Sequence, residues 1–199
     1  MDNLLITRIA VIPGLISYSS GFIGRNEEHS LFSTLRDQTI WEQHFVRIFG
    51  KQHPCPRLSA WYGIPEATYS YSGQDLTPRP FTPLLNSLLE RVKTETDETF
   101  NSVLLNLYRD GSDAMGWHAD DEPELGIHPV IASLSLGSVR RFLIKPKKSR
   151  GTSRALDLEP GSLLIMRRRC QEEYVHSVPR TKKPVGPRIN LTFRQILPV

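Results

Sequence analysis

Two cysteines, Cys55 and Cys170, are all that 199 residues contain, so a disulfide framework is excluded and at most one bridge could form. Neither sits at a metal-binding spacing from a second cysteine, which removes thiolate zinc clusters and leaves two free thiols in a reducing compartment as the expectation. Long apolar runs are also missing. The stretch from Leu4 to Ile16 is interrupted by Arg8 and Pro13, with no small-residue cleavage site after it, so it reads neither as a membrane span nor as a secretory leader. The absence of an internal repeat or low-complexity tract excludes repeat arrays. Nor is charge of one sign in large excess. With 25 Lys+Arg against 21 Asp+Glu, a net charge of +4 and a pI near 9.2, the balance is modest for a nucleic-acid binder but has the right sign. What is present suffices for a core: 39% apolar and 23% charged residues over this length fit one globular domain. The expectation is a soluble, monomeric, intracellular protein without a membrane partner, cytoplasmic in a bacterium and nuclear in a eukaryote.

Two helices are marked. Asn26 before Glu27 and Glu28, then Leu31, Phe32 and Leu35, predicts a helix capped at Asn26 with acids at its positive end. Thr82 as cap, Pro83 in the first helical position and a stripe of Leu84, Leu85, Leu88, Leu89 and Val92 predict a second. Both should pack on a sheet. Strand patterns fill most of the remainder. Arg57 to Tyr62 and Thr68 to Tyr71, separated by Gly63-Ile64-Pro65, suggest a hairpin, and Ser102 to Tyr108 alternates. Further strands are expected at Val130 to Leu136, Arg141 to Ile144, Ser162 to Met166, Tyr174 to Val178 and Ile189 to Ile196. Short strands separated by turn signals favour a closed or two-sheet β architecture such as a jelly roll.

Chemistry is carried by an ordered set. His118-x-Asp120 can place both side chains on one face of an extended segment, because residues i and i+2 point the same way. A third ligand must come from another strand. His176, flanked by Tyr174, Val175 and Val178, suits an interior strand better than His29, His44, His53 or His128, which sit in polar or proline-containing contexts. Two imidazoles and a carboxylate hold a divalent ion on one side and leave the opposite positions open, as Fe(II) requires to take up a cosubstrate and O2. Such a motif alone occurs by chance; Asn106-x-Tyr108 upstream and two arginines downstream strengthen it. Arg188, Asn190, Thr192 and Arg194 share one face of a strand, opposite Ile189, Leu191 and Phe193. An ordinary solvated strand would show the same alternation. The arginines are separated by about 20 Å of extended backbone, and their planar forks, leaning together, could grip the two ends of a short dicarboxylate.

Taken in order, Asn106-Leu-Tyr108-Arg-Asp110-Gly111, Gly116-Trp-His118-Ala-Asp120-Asp-Glu122-Pro123, Ile131-Ala-Ser-Leu-Ser135-Leu-Gly137, Gly161-Ser-Leu-Leu-Ile-Met166, His176-Ser-Val-Pro179 and Pro187-Arg188-Ile-Asn190-Leu-Thr-Phe-Arg194 resemble the AlkB family of Fe(II)/2-oxoglutarate dioxygenases. The similarity runs from about Pro56 to Leu197. It implies a β-rich α+β protein: a double-stranded β-helix, or jelly-roll, core over about 100–199, supporting helices, a helical or extended region over about 1–55, and an N-terminal nucleotide-recognition lid over about 56–80. It also implies iron on His118, Asp120 and His176, and 2-oxoglutarate on Asn106, Tyr108, Arg188, Asn190 and Arg194. The segments Pro56-Arg57-Leu-Ser-Ala-Trp61-Tyr62-Gly63 and Thr68-Tyr69-Ser-Tyr71-Ser-Gly73 are similar to the lid of the branch containing the animal DNA-repair members. By that similarity Tyr71 stacks on a flipped base opposite His118, Asp121 and Glu122 lie near the base's polar edge, and Arg57, Trp61 and Tyr69 help hold the substrate. The run Arg167-Arg168-Arg169 is no part of the resemblance.

The activity so implied is oxidative dealkylation of bases such as 1-methyladenine and 3-methylcytosine in DNA, with release of formaldehyde, succinate and CO2. Phosphate contacts are expected from Arg57, Arg79, Arg167 to Arg169 and the basic cluster from Arg140 through Arg141, Lys145, Lys147, Lys148 and Arg150 to Arg154. Three alternatives stand beside this reading: a demethylase of RNA or protein, a nucleic-acid-binding module with a structural metal, and a zinc hydrolase, which would leave the arginine pair without a purpose.

Overall fold

A computed structural model describes residues 7–48, 50–67, 69–71, 74–148 and 152–197; the side chains of 48, 69–71 and 74–76 fall outside that description. The chain runs β1 (Arg8–Ile12), β2 (Ile16–Ser19), α1 (Arg25–Gln38), β3 (Phe45–Ile48), β4 (Lys51–Pro54), β5 (Leu58–Gly63), β6 (Tyr69–Tyr71) and β7 (Gln74–Leu76). It continues with α2 (Pro83–Thr96), β8 (Ser102–Tyr108), β9 (Met115–His118), β10 (Ile131–Gly137), β11 (Arg140–Pro146) and β12 (Arg154–Leu158). Last come β13 (Leu163–Met166), α3 (Cys170–Glu173), β14 (Tyr174–Val178) and β15 (Arg188–Arg194).

Two antiparallel sheets make the sandwich that the alternating strands predict. The larger has the order β1-β2-β13-β10-β15-β8-β5 and the smaller β12-β11-β14-β9. Strand β15 lies inside the larger sheet, pairing with β10 on one side and β8 on the other. Its odd positions, Ile189, Leu191 and Phe193, join Leu105, Leu134 and Leu136 in a core that also takes in Leu31, Phe32 and Leu35 of α1 and Leu85, Leu88, Leu89 and Val92 of α2. Its even positions face the smaller sheet, so all seven residues are buried. The solvated-strand reading is therefore wrong for β15: both faces are covered, one by helices and one by a sheet. A second apolar cluster, including Tyr18, Phe142, Ile144, Leu164 and Met166, fills the space between the sheets. Truncating a fully buried leucine such as Leu134 should cost about 2–5 kcal/mol.

Local signals fare unevenly. α2 starts as predicted: Thr82 accepts a hydrogen bond from the Leu85 N–H at 3.2 Å and proline follows the cap. α1 does not, because Gly24 is its cap and Asn26 lies inside the first turn. Glu28, one of the acids of that first turn, is buried and accepts from the Gly137 N–H at 2.6 Å. Gly137 ends β10 at φ +82°, where a Cβ would come 2.6 Å from the Pro187 carbonyl oxygen, so only glycine fits. The hairpin expected from Arg57–Tyr62 and Thr68–Tyr71 does not form. β5 pairs with β8 in the larger sheet, and β6 pairs with β7. Gly63-Ile64-Pro65 instead leads the chain off the sheet, since β8 supplies the long-range ladder that β5 needs. β1 and β2 also join the larger sheet. Both cysteines are buried free thiols, and no helix among the described residues is long and apolar enough to cross a membrane.

Candidate active site

Strand pairing brings the three candidate metal ligands together. His118 closes β9, His176 sits in the middle of β14, and the two are cross-strand partners with ring centroids 4.2 Å apart. Asp120 lies just beyond β9, with its Oδ2 3.7 Å from His176 Nε2. One donor atom from each residue falls within 4.8 Å of the others, and this is the single such His/Cys/Asp/Glu group among the described residues. His118 Nδ1 is 2.9 Å from the Gly116 carbonyl oxygen; with Nδ1 donating there, Nε2 keeps its lone pair. Phe142 stacks on His176 at 5.3 Å.

Electrostatics prepares the same donors. Burial pushes the His176 pKa down to about 4 against the opposing pull of Asp120, so the imidazole is neutral at physiological pH. Burial alone would raise the Asp120 pKa, but Arg194 and then the two histidines outweigh it and hold the carboxyl below its ordinary value. Two imidazoles, that of His176 kept neutral by burial, and a carboxylate, converging from a sheet and an adjoining loop, fit a divalent transition metal.

The arginines occupy different environments. Arg194 Nη2 donates to Asp120 Oδ1, so this arginine neutralises a candidate ligand, while its Nε has no hydrogen-bond partner. Arg188, at the far end of β15, is fully buried. Its Nη2 donates to Ser135 Oγ at 2.9 Å, and Nε and Nη1 have no partner. The Tyr108 ring lies 5.3 Å from its guanidinium. Burial, reinforced by the like charge of Arg140, lowers the Arg188 pKa to about 10, which leaves it charged at neutral pH. A buried cation with two unsatisfied donors is costly unless an anion completes it; this is the fit expected of a carboxylate site. Asn190 donates to Ser133 Oγ at 3.0 Å and stands opposite Asn106 across β15 and β8.

The triad lies where two cavities meet. An inner one of about 60 Å³ is lined by all three ligands with Asn106, Tyr108, Asn190 and Arg194, but not by Arg188. An outer one of about 140 Å³ shares His118 and Asp120 and is bounded by Arg57, Trp61, Arg79 and Glu122. Arg57 Nε donates to Asn106 Oδ1 at 3.0 Å, linking the two. Asp121 lines neither cavity; it is turned outward, where its Oδ2 meets Lys147 at 2.7 Å. Tyr69 and Tyr71 belong to β6, but their side chains lie outside the described residues, as does Arg150.

Several residues expected to contact phosphate have partners within the chain, and one of them is buried. Arg140 is buried and clamps the carbonyls of Asp110, Asp113 and Pro179 at 2.8–2.9 Å. Arg141 pairs with Asp157 at 3.0 Å, Arg169 with Glu172 at 3.0 Å, and Arg79 with Glu42. Arg167 donates to the Thr96 carbonyl at 2.8 Å, fastening the end of α2 to the segment after β13. Sequence reasoning passed over Ser133 and Ser135, although their alternation with leucines in β10 carried the signal. It also passed over Gln171, which nothing local marks.

Fold and donor set together define an oxygenase, and comparison with known proteins agrees. The chain belongs to the 2OG-Fe(II) oxygenase superfamily, which it matches over residues 15–194; membership implies Fe(II) and 2-oxoglutarate. Within it the chain is similar to AlkB homologues. DNA oxidative demethylase ALKBH2 of Bos taurus is 46% identical over 160 residues, 77% of this chain and 58% of that protein. Alpha-ketoglutarate-dependent dioxygenase alkB homolog 3 of Mus musculus is 37% identical over 202 aligned residues, 97% of this chain and 68% of that protein. The chain thus spans under two thirds of the length of the bovine relative. The solved structure of OsALKBH1 shares the fold, with a TM-score of 0.66 at 17% identity over 90% of this chain and 97% of that one.

Proposed function

We propose that this protein oxidatively dealkylates N-alkylated bases of the 1-methyladenine and 3-methylcytosine type in DNA, as an intracellular monomer with one dioxygenase domain. The observation that carries the reading is the convergence of His118, Asp120 and His176 at the boundary between an inner cavity and an outer one. In this reading His118, Asp120 and His176 hold Fe(II), while Arg188 with Asn106, Tyr108, Asn190 and Arg194 binds 2-oxoglutarate. When bound, iron and 2-oxoglutarate with O2 supply the oxidant that hydroxylates the N-alkyl carbon, giving succinate, CO2 and, once the hydroxylated group leaves, formaldehyde.

The chain's own residues do the positioning. Arg188 offers a buried guanidinium with two unused donors to the distal carboxylate, and Arg194 keeps Asp120 ionised. Asn106 is held by Arg57, so its amide is oriented before a ligand arrives. The outer cavity admits the base, which must leave its helix at a cost of a few kcal/mol, least for a damaged pair. Trp61 and Glu122 border that cavity, where an aromatic face returns about 1–3 kcal/mol by stacking and a carboxylate suits the cationic edge of an alkylated base. Tyr69 and Tyr71, in the segment 56–80 assigned to the lid, add to this recognition.

The test is a product assay on defined oligonucleotides carrying one methylated base, in DNA and in RNA, with Fe(II) and 2-oxoglutarate each omitted in turn. Formaldehyde and repaired base should appear in equal amounts on DNA and only when both are supplied. Repair of the RNA alone would move the substrate assignment, and no formaldehyde from either polymer would sink the demethylase reading.

A further inference from the structure

Asp120 lies past the last residue of β9, so no strand ladder receives its backbone N–H. That N–H donates instead to Gln171 Oε1 at 3.0 Å. Gln171 is buried at 1% exposure, and its other end is also engaged, Nε2 donating to Met166 Sδ at 3.4 Å. The arrangement admits one orientation of the amide, because only the oxygen can accept from an N–H and only the NH2 can give a hydrogen to sulfur. Gln171 sits on α3, the short helix that leads directly into β14 and His176. One side chain therefore ties the backbone of one candidate ligand to the element that delivers another.

We propose that Gln171 is a positioning residue for Asp120, setting where that carboxylate stands and so how tightly the site holds a divalent cation. The proposal rests on the assignment of His118, Asp120 and His176 as metal ligands. Without the Gln171 oxygen, a buried N–H is left unsatisfied, and the segment after β9 must move to find water, taking the carboxylate away from His118 and His176. Met166 acts one step further out by fixing which end of the amide faces Asp120. Partners of this kind, outside the ligands themselves, typically govern metal affinity by 10–100-fold.

Anaerobic titration of the metal-free protein with Co(II), followed by visible absorbance, reads this directly, with thermal unfolding of the metal-free variants as the check on folding. Gln171→Leu keeps the volume and removes the acceptor; we expect Co(II) affinity to fall about tenfold. Unchanged affinity in a folded Gln171→Leu protein would overturn the proposal. Should that variant fail to fold, Met166→Leu, a volume-conserving change, is read in the same way, with a measurable loss expected and unchanged affinity overturning the idea. The underlying ligand assignment fails separately, when the unsubstituted protein binds no Co(II) or when His118→Ala binds it equally well.

Discussion

The buried interior and the exposed rim of this protein treat charge in opposite ways. On the rim, Arg79, Arg141, Lys147 and Arg169 are each matched by an acid from the same chain, so these four cations need no ligand to complete them. In the interior, Arg188 is fully buried yet keeps two donors without partners, and Arg194 keeps one. Exposed pairs contribute about 0–1 kcal/mol, whereas an incomplete buried cation costs several. The unmatched donors inside are the groups that the proposed 2-oxoglutarate site would use.

If that contrast is functional, replacing an interior group should be far more damaging than replacing a rim group. The largest expected effect is in the triad: Asp120→Ala or His176→Ala should bring formaldehyde release to background while DNA binding, measured by fluorescence anisotropy, is retained. Residual turnover would remove that residue from the ligand set. Next comes Arg188→Ala, for which loss of a buried charged pair, worth about 2–5 kcal/mol, should raise the KM for 2-oxoglutarate roughly 30-fold or more. Thermal shift checks the same point: 2-oxoglutarate with a redox-inert divalent metal should stabilise the parent protein and not this variant.

A smaller effect belongs to the loop between β8 and β9. Asp113 has its side chain buried and accepts two hydrogen bonds from the Arg109 guanidinium at 2.8 Å. Burial alone would raise its pKa, but the bonds from Arg109 prevail and lower it. A carboxyl depressed on folding adds stability above its unfolded pKa of about 3.9, and that stability is lost as pH falls through the folded value. Asp113→Asn should therefore cost about 1–3 kcal/mol at neutral pH, with the difference from the parent shrinking in urea melts below about pH 4. The smallest effect is expected at the rim, where Arg141→Ala and Lys147→Ala should each change stability by within about 0.5 kcal/mol. Should either reduce the salt dependence of DNA binding by a full phosphate contact, its ion pair opens on binding and the contrast narrows.

The comparison also indicates what could be read before folding. The period-two run Arg188, Asn190, Thr192, Arg194 is legible because strand geometry alone decides which residues share a face, whereas His118-x-Asp120 is legible only as a spacing, since β9 ends at His118. Asp121, in the loop that follows, turns outward to Lys147. Arg140 reads from sequence as a phosphate contact but is not one, because its partners are three backbone carbonyls from two distant segments, and a carbonyl leaves no trace in residue identity. Local turn signals alone pair β5 with β6 in a hairpin, and they carry no information on a distant partner. The ladder of β5 lies with β8, some 40 residues further along the chain.

Residue types and their alternation are thus enough to determine the His118-x-Asp120 pair, the two-faced β15 and the second helix, since each depends on spacing within a few residues. Tertiary structure alone decided that the polar face of β15 would be enclosed by a second sheet, that His176 would stand opposite His118, and that Gln171 would hold Asp120. Those outcomes depend on which surfaces meet. Contact between elements far apart in sequence is selected by the burial of all of them together, not by any segment taken singly.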